Sequence, residues 1–213
     1  QAIAVLASEL PAADAPAASA PAARRWPGLA VAATVVAALG AWLLFGQDGG
    51  ASRYVTDTGQ TQTVTFADGS VAYLNTQTRL EWAGSASDRK VVLRQGEALF
   101  DVAHDPDRPF RVVVGDSEVR VLGTRFNVYR KKSGEVLVTV IDGKVAVVET
   151  ARDGKPAWRR ELTANQQIAY SGIGLTHDVQ PVDAGNVTKW REGILELTDE
   201  PLVNVLDELT RYT

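Results

Sequence analysis

After Ser52 the chain reads as short runs of Val, Thr, Phe and Tyr broken by glycine-containing turn dipeptides. The breaks recur about every ten residues, the rhythm of β-hairpins. Asp68-Gly69 separates residues 61–66 from 70–74, and Asp142-Gly143 separates 135–141 from 144–149. Both dipeptides predict a two-residue type I′ turn, whose positive φ values Asp and Gly tolerate. Gly115-Asp116 and Ser133-Gly134 mark two further turns. Alternation within the runs agrees: Phe126 and Val128 share one strand face, while Arg125, Asn127 and Tyr129 share the other. Likewise Val119 and Val121 alternate with Glu118 and Arg120. No helical period interrupts residues 60–170. The pattern predicts a mainly β domain over residues 60–180, about ten short antiparallel strands packed as a sandwich or as stacked twisted sheets.

Two flanking regions have a different character. Residues 26–46 contain no charge, and about 20 helical residues match the roughly 30 Å hydrocarbon core of a bilayer. Trp26 and Trp42 lie near the two ends, Arg24 and Arg25 abut one side, and Gln47-Asp48 follow on the other. The expectation is one transmembrane helix at 26–46, with the N-terminus cytoplasmic and everything after Gly50 outside. A retained anchor is preferred to a cleaved signal peptide, whose apolar region is usually about 7–15 residues. It is also preferred to a buried core helix, which would show a polar stripe. Residues 1–25, rich in Ala and Pro, read as a cytoplasmic linker, and 47–59 as a juxtamembrane linker. From 187 to 213 the chain reads as the start of a small α+β subdomain, left incomplete. Residues 193–197 suggest a short strand, and Thr198-Asp199-Glu200-Pro201 a helix start. Leu202, Val205, Leu206 and Leu209 then recur on one helical face. That face is expected to be the subdomain's core, with a partner contact as the alternative.

Composition narrows the chemistry. The chain has 213 residues and a net charge of −4, against nucleic acid as a main partner. It has no cysteine, which removes thiolate metal sites and cysteine nucleophiles. It has no methionine and begins at Gln1, so a segment cut from a longer protein is expected. His104 and His177, 73 positions apart, supply no zinc-ligand spacing. Asp105/Asp107 and Asp199/Glu200 fit turn formation and helix capping better than acid–base work. No nucleophile elbow, phosphate loop or metalloprotease helix is present in the sequence, so no catalytic residue, cofactor or metal is expected.

Six stretches carry a resemblance: Asp68-Gly69-Ser70, Leu74-Asn75, Gly96 to Val102, Arg108-Pro109-Phe110, Val121 to Val128, and Gly143-Lys144-Val145. In this order and spacing, over roughly residues 54–170, they resemble the FecR family of bacterial transmembrane sigma-factor regulators, named for the iron-dicitrate sensor. The tail, from Trp190-Arg191-Glu192-Gly193 to Arg211-Tyr212, is similar to the start of the short secretin/TonB-type subdomain that closes such proteins. The resemblance implies a single-pass bacterial inner-membrane protein with a periplasmic C-terminal domain. It implies an extracytoplasmic-function sigma factor as partner of a missing N-terminal segment. It also implies a periplasmic signal from the signalling domain of an outer-membrane TonB-dependent siderophore receptor, and processing proteases that release the cytoplasmic piece. Physically, Gly69 and Gly143 are expected to serve turns, and Gly123 a kink or bulge. Phe100, Phe110 and Phe126 are expected in the core, which makes the motif mostly a folding signature. The alternative reading is an anchored β-rich binding module, for instance for cell-wall glycan. A third, an anchored hydrolase, lacks a nucleophile–base pair.

Overall fold

The computed structural model describes residues 52–85, 87–150, 156–171, 178–196 and 202–213. The expected anchor with Arg24, Arg25, Trp26 and Trp42, the helix-start signal at 198–201 and His177 lie outside these residues. Among the described residues no helix is long and apolar enough to cross a membrane. Among the described residues thirteen strands form: β1 (Ser52–Val55), β2 (Gln62–Thr65), β3 (Val71–Leu74), β4 (Arg79–Trp82), β5 (Arg89–Asp101), β6 (Phe110–Val114) and β7 (Ser117–Val121), then β8 (Arg125–Arg130), β9 (Val136–Asp142), β10 (Lys144–Thr150), β11 (Pro156–Thr163), β12 (Gln166–Tyr170) and β13 (Val179–Pro181). A 3₁₀ turn at Asn186–Glu192 and helix α1 at Leu202–Leu209 follow.

Strand β5 organises the rest. Its first half pairs with β4 and β6, and its second half with β3 and β8. It therefore belongs to two half-sheets, one completed by β1, β4, β6, β7, β10 and β11, the other by β2, β3, β8, β9, β12 and β13. Gly96 sits at the change-over with φ +85, and a Cβ there would meet the Thr78 backbone at 2.6 Å. Only glycine satisfies both conditions. A register shift opposite Arg79/Leu80 adds a bulge to the same stretch of β5. The strand bends back far enough that Arg89, at its start, donates to the carbonyl of Ala103, just past its end, at 2.9 Å. Arg89 also donates to the carbonyls of Arg108 (2.6 Å) and Asp105 (3.1 Å) and pairs with Asp68 (3.3 Å). One buried guanidinium thus clamps three carbonyls of the β5–β6 connection.

Five expectations need correction here. The sheet is not wholly antiparallel, because β6 runs parallel to β5. The bend brings the chain leaving β5 back to that strand's own beginning, so no hairpin is formed. Asp142-Gly143 is not a hairpin turn either, since β9 pairs with β8 and β12 while β10 pairs with β7 and β11. The chain crosses there from one half-sheet to the other. It crosses back before β12 at Asn165, whose φ of +61 is the left-handed conformation asparagine tolerates. Nor is Asp68-Gly69 type I′, because only Gly69 of the pair has positive φ. The turn instead closes with the Gly69 N–H donating to the Phe66 carbonyl at 3.0 Å. Gly115-Asp116 does join two hairpin strands, β6 and β7, with positive φ at Gly115 alone, the II′ pattern. Gly123 has ordinary φ and is glycine for another reason: a Cβ would collide with His104 at 2.5–2.7 Å. The expected strand at 193–197 is absent from 193 to 196; Gly193, at φ +77, instead closes the 3₁₀ turn. A strand needs a neighbour for its ladder, and no described segment pairs with it.

The core lies between the half-sheets. Phe100, Phe110 and Phe126 are fully buried, with Phe100 6.0 Å from Phe110 and stacked 5.3 Å from Phe126. At about 1.5–3 kcal/mol per buried side chain, these rings carry a large part of the stability. On the far side of the core, Tyr170 meets Ser117 across the half-sheets at 2.7 Å. Burial pushes the Tyr170 hydroxyl up to about 12.

Candidate functional site

The register of the second half-sheet separates its two faces. Ala72, Phe100, Phe126 and Val140 form one cross-strand row, and all face the core. One residue along, Tyr73, Leu99, Asn127, Thr139 and Gln167 form the next row, on the opposite face. Strand alternation predicts that second face to be polar, and it is. It is not, however, open to water: Leu99, Asn127 and Thr139 are buried. The segment after β13 accounts for part of the covering. Arg191 lies over the Tyr73 ring at 4.0 Å, and the buried Trp190 sits in the 3₁₀ turn.

At one end of this face lies a carboxylate socket. Glu97, on β5, is 6% exposed. It accepts hydrogen bonds from the Asn75 amide (2.7 Å) and the Asn127 amide (2.9 Å). The Asn75 side chain is oriented by its own oxygen, which accepts from the Thr76 N–H at 2.7 Å. Thr78 fixes the main chain of Glu97, accepting from its N–H and donating to its carbonyl, both at 3.0 Å.

The tail fills the socket. Arg211, 4% exposed, brings its guanidinium 3.5 Å from the Glu97 carboxylate and 4.3 Å above the Tyr129 ring. It also pairs with Glu208, one helical turn earlier, and donates to the Thr76 carbonyl at 3.3 Å. Thr76 Oγ1 donates to the Arg211 carbonyl (2.8 Å), Asn75 donates to the Tyr212 hydroxyl (2.7 Å), and Tyr129 donates to Glu208 (2.7 Å). Burial holds the Glu97 carboxyl above the usual carboxylate range, against the pull of Arg211, Asn75 and Asn127. Burial alone would lower the Arg211 pKa, and the negative charges around it, Glu97 first, outweigh it. Burial also raises the Tyr129 and Tyr212 hydroxyls, the latter to about 12.

Beside the socket a cleft of about 450 Å³ separates the tail from the sheet, lined among others by Tyr129, Leu137, Gln167, Trp190 and Asp207. Within its wall, the buried Trp190 indole N–H has no hydrogen-bond partner among the described residues. Among those residues no group of three His, Cys, Asp or Glu side chains is placed to hold a metal ion. His104 packs against Gly123 in the connection after β5.

The expected helical face is present, but nothing described covers it. Leu202, Leu206 and Leu209 are 72%, 54% and 45% exposed, and Val205 is half-buried. The tail docks through Glu208, Arg211 and Tyr212 instead, so the helix carries its apolar side outward. Reading the motif stretches as a folding signature missed the socket, although Asn75, Glu97, Asn127 and the Arg211-Tyr212 pair all lie within the stretches that carry the family resemblance. The available signal was an acid inside an otherwise apolar strand run, Glu97-Ala98-Leu99-Phe100.

Comparison with known proteins adds three findings. The family model described as FecR protein matches residues 52–146. Two crystal structures of a candidate anti-sigma factor from Parabacteroides distasonis superpose with TM-scores of 0.68 and 0.67. In each the sequences are 30% identical, and the match covers 76% of this chain and 74% of that one. No curated protein matches this sequence.

Proposed function

This chain belongs to the FecR protein family, and on that premise we propose that it regulates a sigma factor as part of a transmembrane signal relay. The observation that carries the reading is the likeness, at 30% identity across 76% of the chain, to a candidate anti-sigma factor. In this reading the apolar stretch at 26–46 anchors the protein in the bacterial inner membrane, with Arg24 and Arg25 on the cytoplasmic side. The β domain then stands in the periplasm. A segment ahead of residue 1 binds the sigma factor, and the periplasmic domain receives its signal from an outer-membrane TonB-dependent siderophore receptor. Proteolysis releases the cytoplasmic piece. The protein works as a binding and relay module and not as an enzyme.

The test is affinity purification of the intact protein after in-cell crosslinking of iron-starved cells. Recovery of both a sigma factor and an outer-membrane receptor is expected. Recovery of the sigma factor alone would remove the siderophore arm. Recovery of cell-wall glycan with neither protein would replace the relay with an anchored binding module.

A further inference from the structure

The described part of the tail meets the sheet through polar groups. An amphipathic helix ordinarily docks by its apolar stripe. Here Leu202, Val203, Leu206 and Leu209 are exposed, and the contacts that hold the tail to the sheet are polar. Those contacts converge on one guanidinium. Its surroundings are complete for that group: a carboxylate on one side, an aromatic ring over its face, a main-chain carbonyl at its edge and a second carboxylate from its own helix. The carboxylate of Glu97 is prearranged by two amide donors that belong to the sheet and not to the tail.

We propose that the pocket formed by Asn75, Glu97, Asn127 and Tyr129 is a guanidinium-binding site that holds helix α1 as a releasable latch, with Arg211 as its bolt. Two physical features make the attachment reversible. Desolvating two ions offsets most of their attraction, so a buried ion pair holds an element far less firmly than an apolar face of the same size. The core row of Phe100 and Phe126 lies on the other side of the sheet, so undocking the tail leaves it sealed. Withdrawal of the bolt opens one wall of the neighbouring cleft, which Glu208, Arg211 and Tyr212 supply. It also frees a socket on β5, the strand that both half-sheets share. The latch is a property of this chain whichever partner it serves, and it goes beyond the sigma-factor reading.

The test uses the whole chain in detergent micelles. The sequence has no cysteine, so Lys132→Cys and Leu206→Cys place a unique pair of spin labels on the β8–β9 turn and on α1, both at exposed positions. Pulsed dipolar spectroscopy then reads the distance between them. The otherwise unaltered chain is expected to give one narrow distribution. Arg211→Ala is expected to give a longer, broad one while the thermal transition of the β fold persists. Millimolar N-methylguanidinium should restore the narrow distribution to Arg211→Ala, and N-methylammonium should not, because only the planar ion matches the socket. Glu97→Ala, which removes the acceptor altogether, should release the helix without rescue by either ion. An unchanged distance in Arg211→Ala overturns the proposal, because something else holds the helix. Collapse of the β fold in Arg211→Ala also overturns it, since Arg211 would then be a structural staple. Equal restoration by both cations shows a nonspecific charge effect and overturns the site.

Discussion

The two faces of the second half-sheet are built from the same five strands, β3, β5, β8, β9 and β12, and differ by one residue of register. The inner row of Ala72, Phe100, Phe126 and Val140 is sealed by apolar packing between the half-sheets. The outer face is covered too, in part by Trp190 and the Arg191 guanidinium and in part by hydrogen bonds and the Arg211 guanidinium, all from segments that follow β13. Burial alone does not distinguish a core from a docking site. What distinguishes them is the kind of group that does the covering, and hence how cooperatively the cover is bound to the rest.

The sharpest way to break the comparison is to injure each face in turn. Phe100→Ala, on the inner face, should lower stability by about 3–5 kcal/mol through the cavity it leaves. Arg89→Ala belongs with it, because it strands Asp68 and three carbonyls; a loss of about 3–5 kcal/mol in chemical denaturation is expected. Arg211→Gln, on the outer face, should shift the main unfolding transition by only about 1 kcal/mol, because the tail can leave before the fold does. A loss as large as that of Phe100→Ala would erase the distinction between the faces.

A pH series sharpens it further. Burial raises the Glu97 carboxyl in the folded protein above its unfolded value of about 4.3. A raised acid contributes stability that is complete below the unfolded pKa and is lost as pH rises through the folded one. The lowered Asp105 and Glu81 carboxyls, each held chiefly by a hydrogen bond from a neighbouring arginine, Arg108 and Arg94, act oppositely and lose their contribution as pH falls. Relative to Glu97→Gln, the parent's melting temperature should therefore decline from mildly acidic toward higher pH. Parallel profiles for the two proteins would show that Glu97 titrates as it does when unfolded. The smallest effect is expected at Leu206→Asp: with that side chain 54% exposed, stability should stay within about 0.5 kcal/mol.

The inner face was legible in the sequence because it is a local property. Phe126 and Val128 declare it by alternation, just as Gly115-Asp116 declares the β6–β7 hairpin of the other half-sheet by turn chemistry. Connectivity was less legible. Asp142-Gly143 carries the same dipeptide signal as a hairpin turn, but the strands it joins pair in different half-sheets, with partners distant in sequence. The outer face was the least legible, because nothing near Asn127 or Glu97 announces that Arg211 will arrive from the far end of the chain. The helical spacing of Leu202, Val205, Leu206 and Leu209 predicted α1 correctly. It could not show which side of the helix meets the sheet, since period alone identifies a face and not its neighbour.

The most direct test of the difference between the faces is residue-resolved hydrogen exchange on the intact chain, comparing the amides of β8 with those of α1 and the residues through Tyr212. The account predicts that the α1 amides exchange through a local opening, with protection on the order of 100-fold below that of β8 and little dependence on denaturant. Equal protection, lost together as denaturant rises, would show that the tail and the β fold are one cooperative unit and would contradict it.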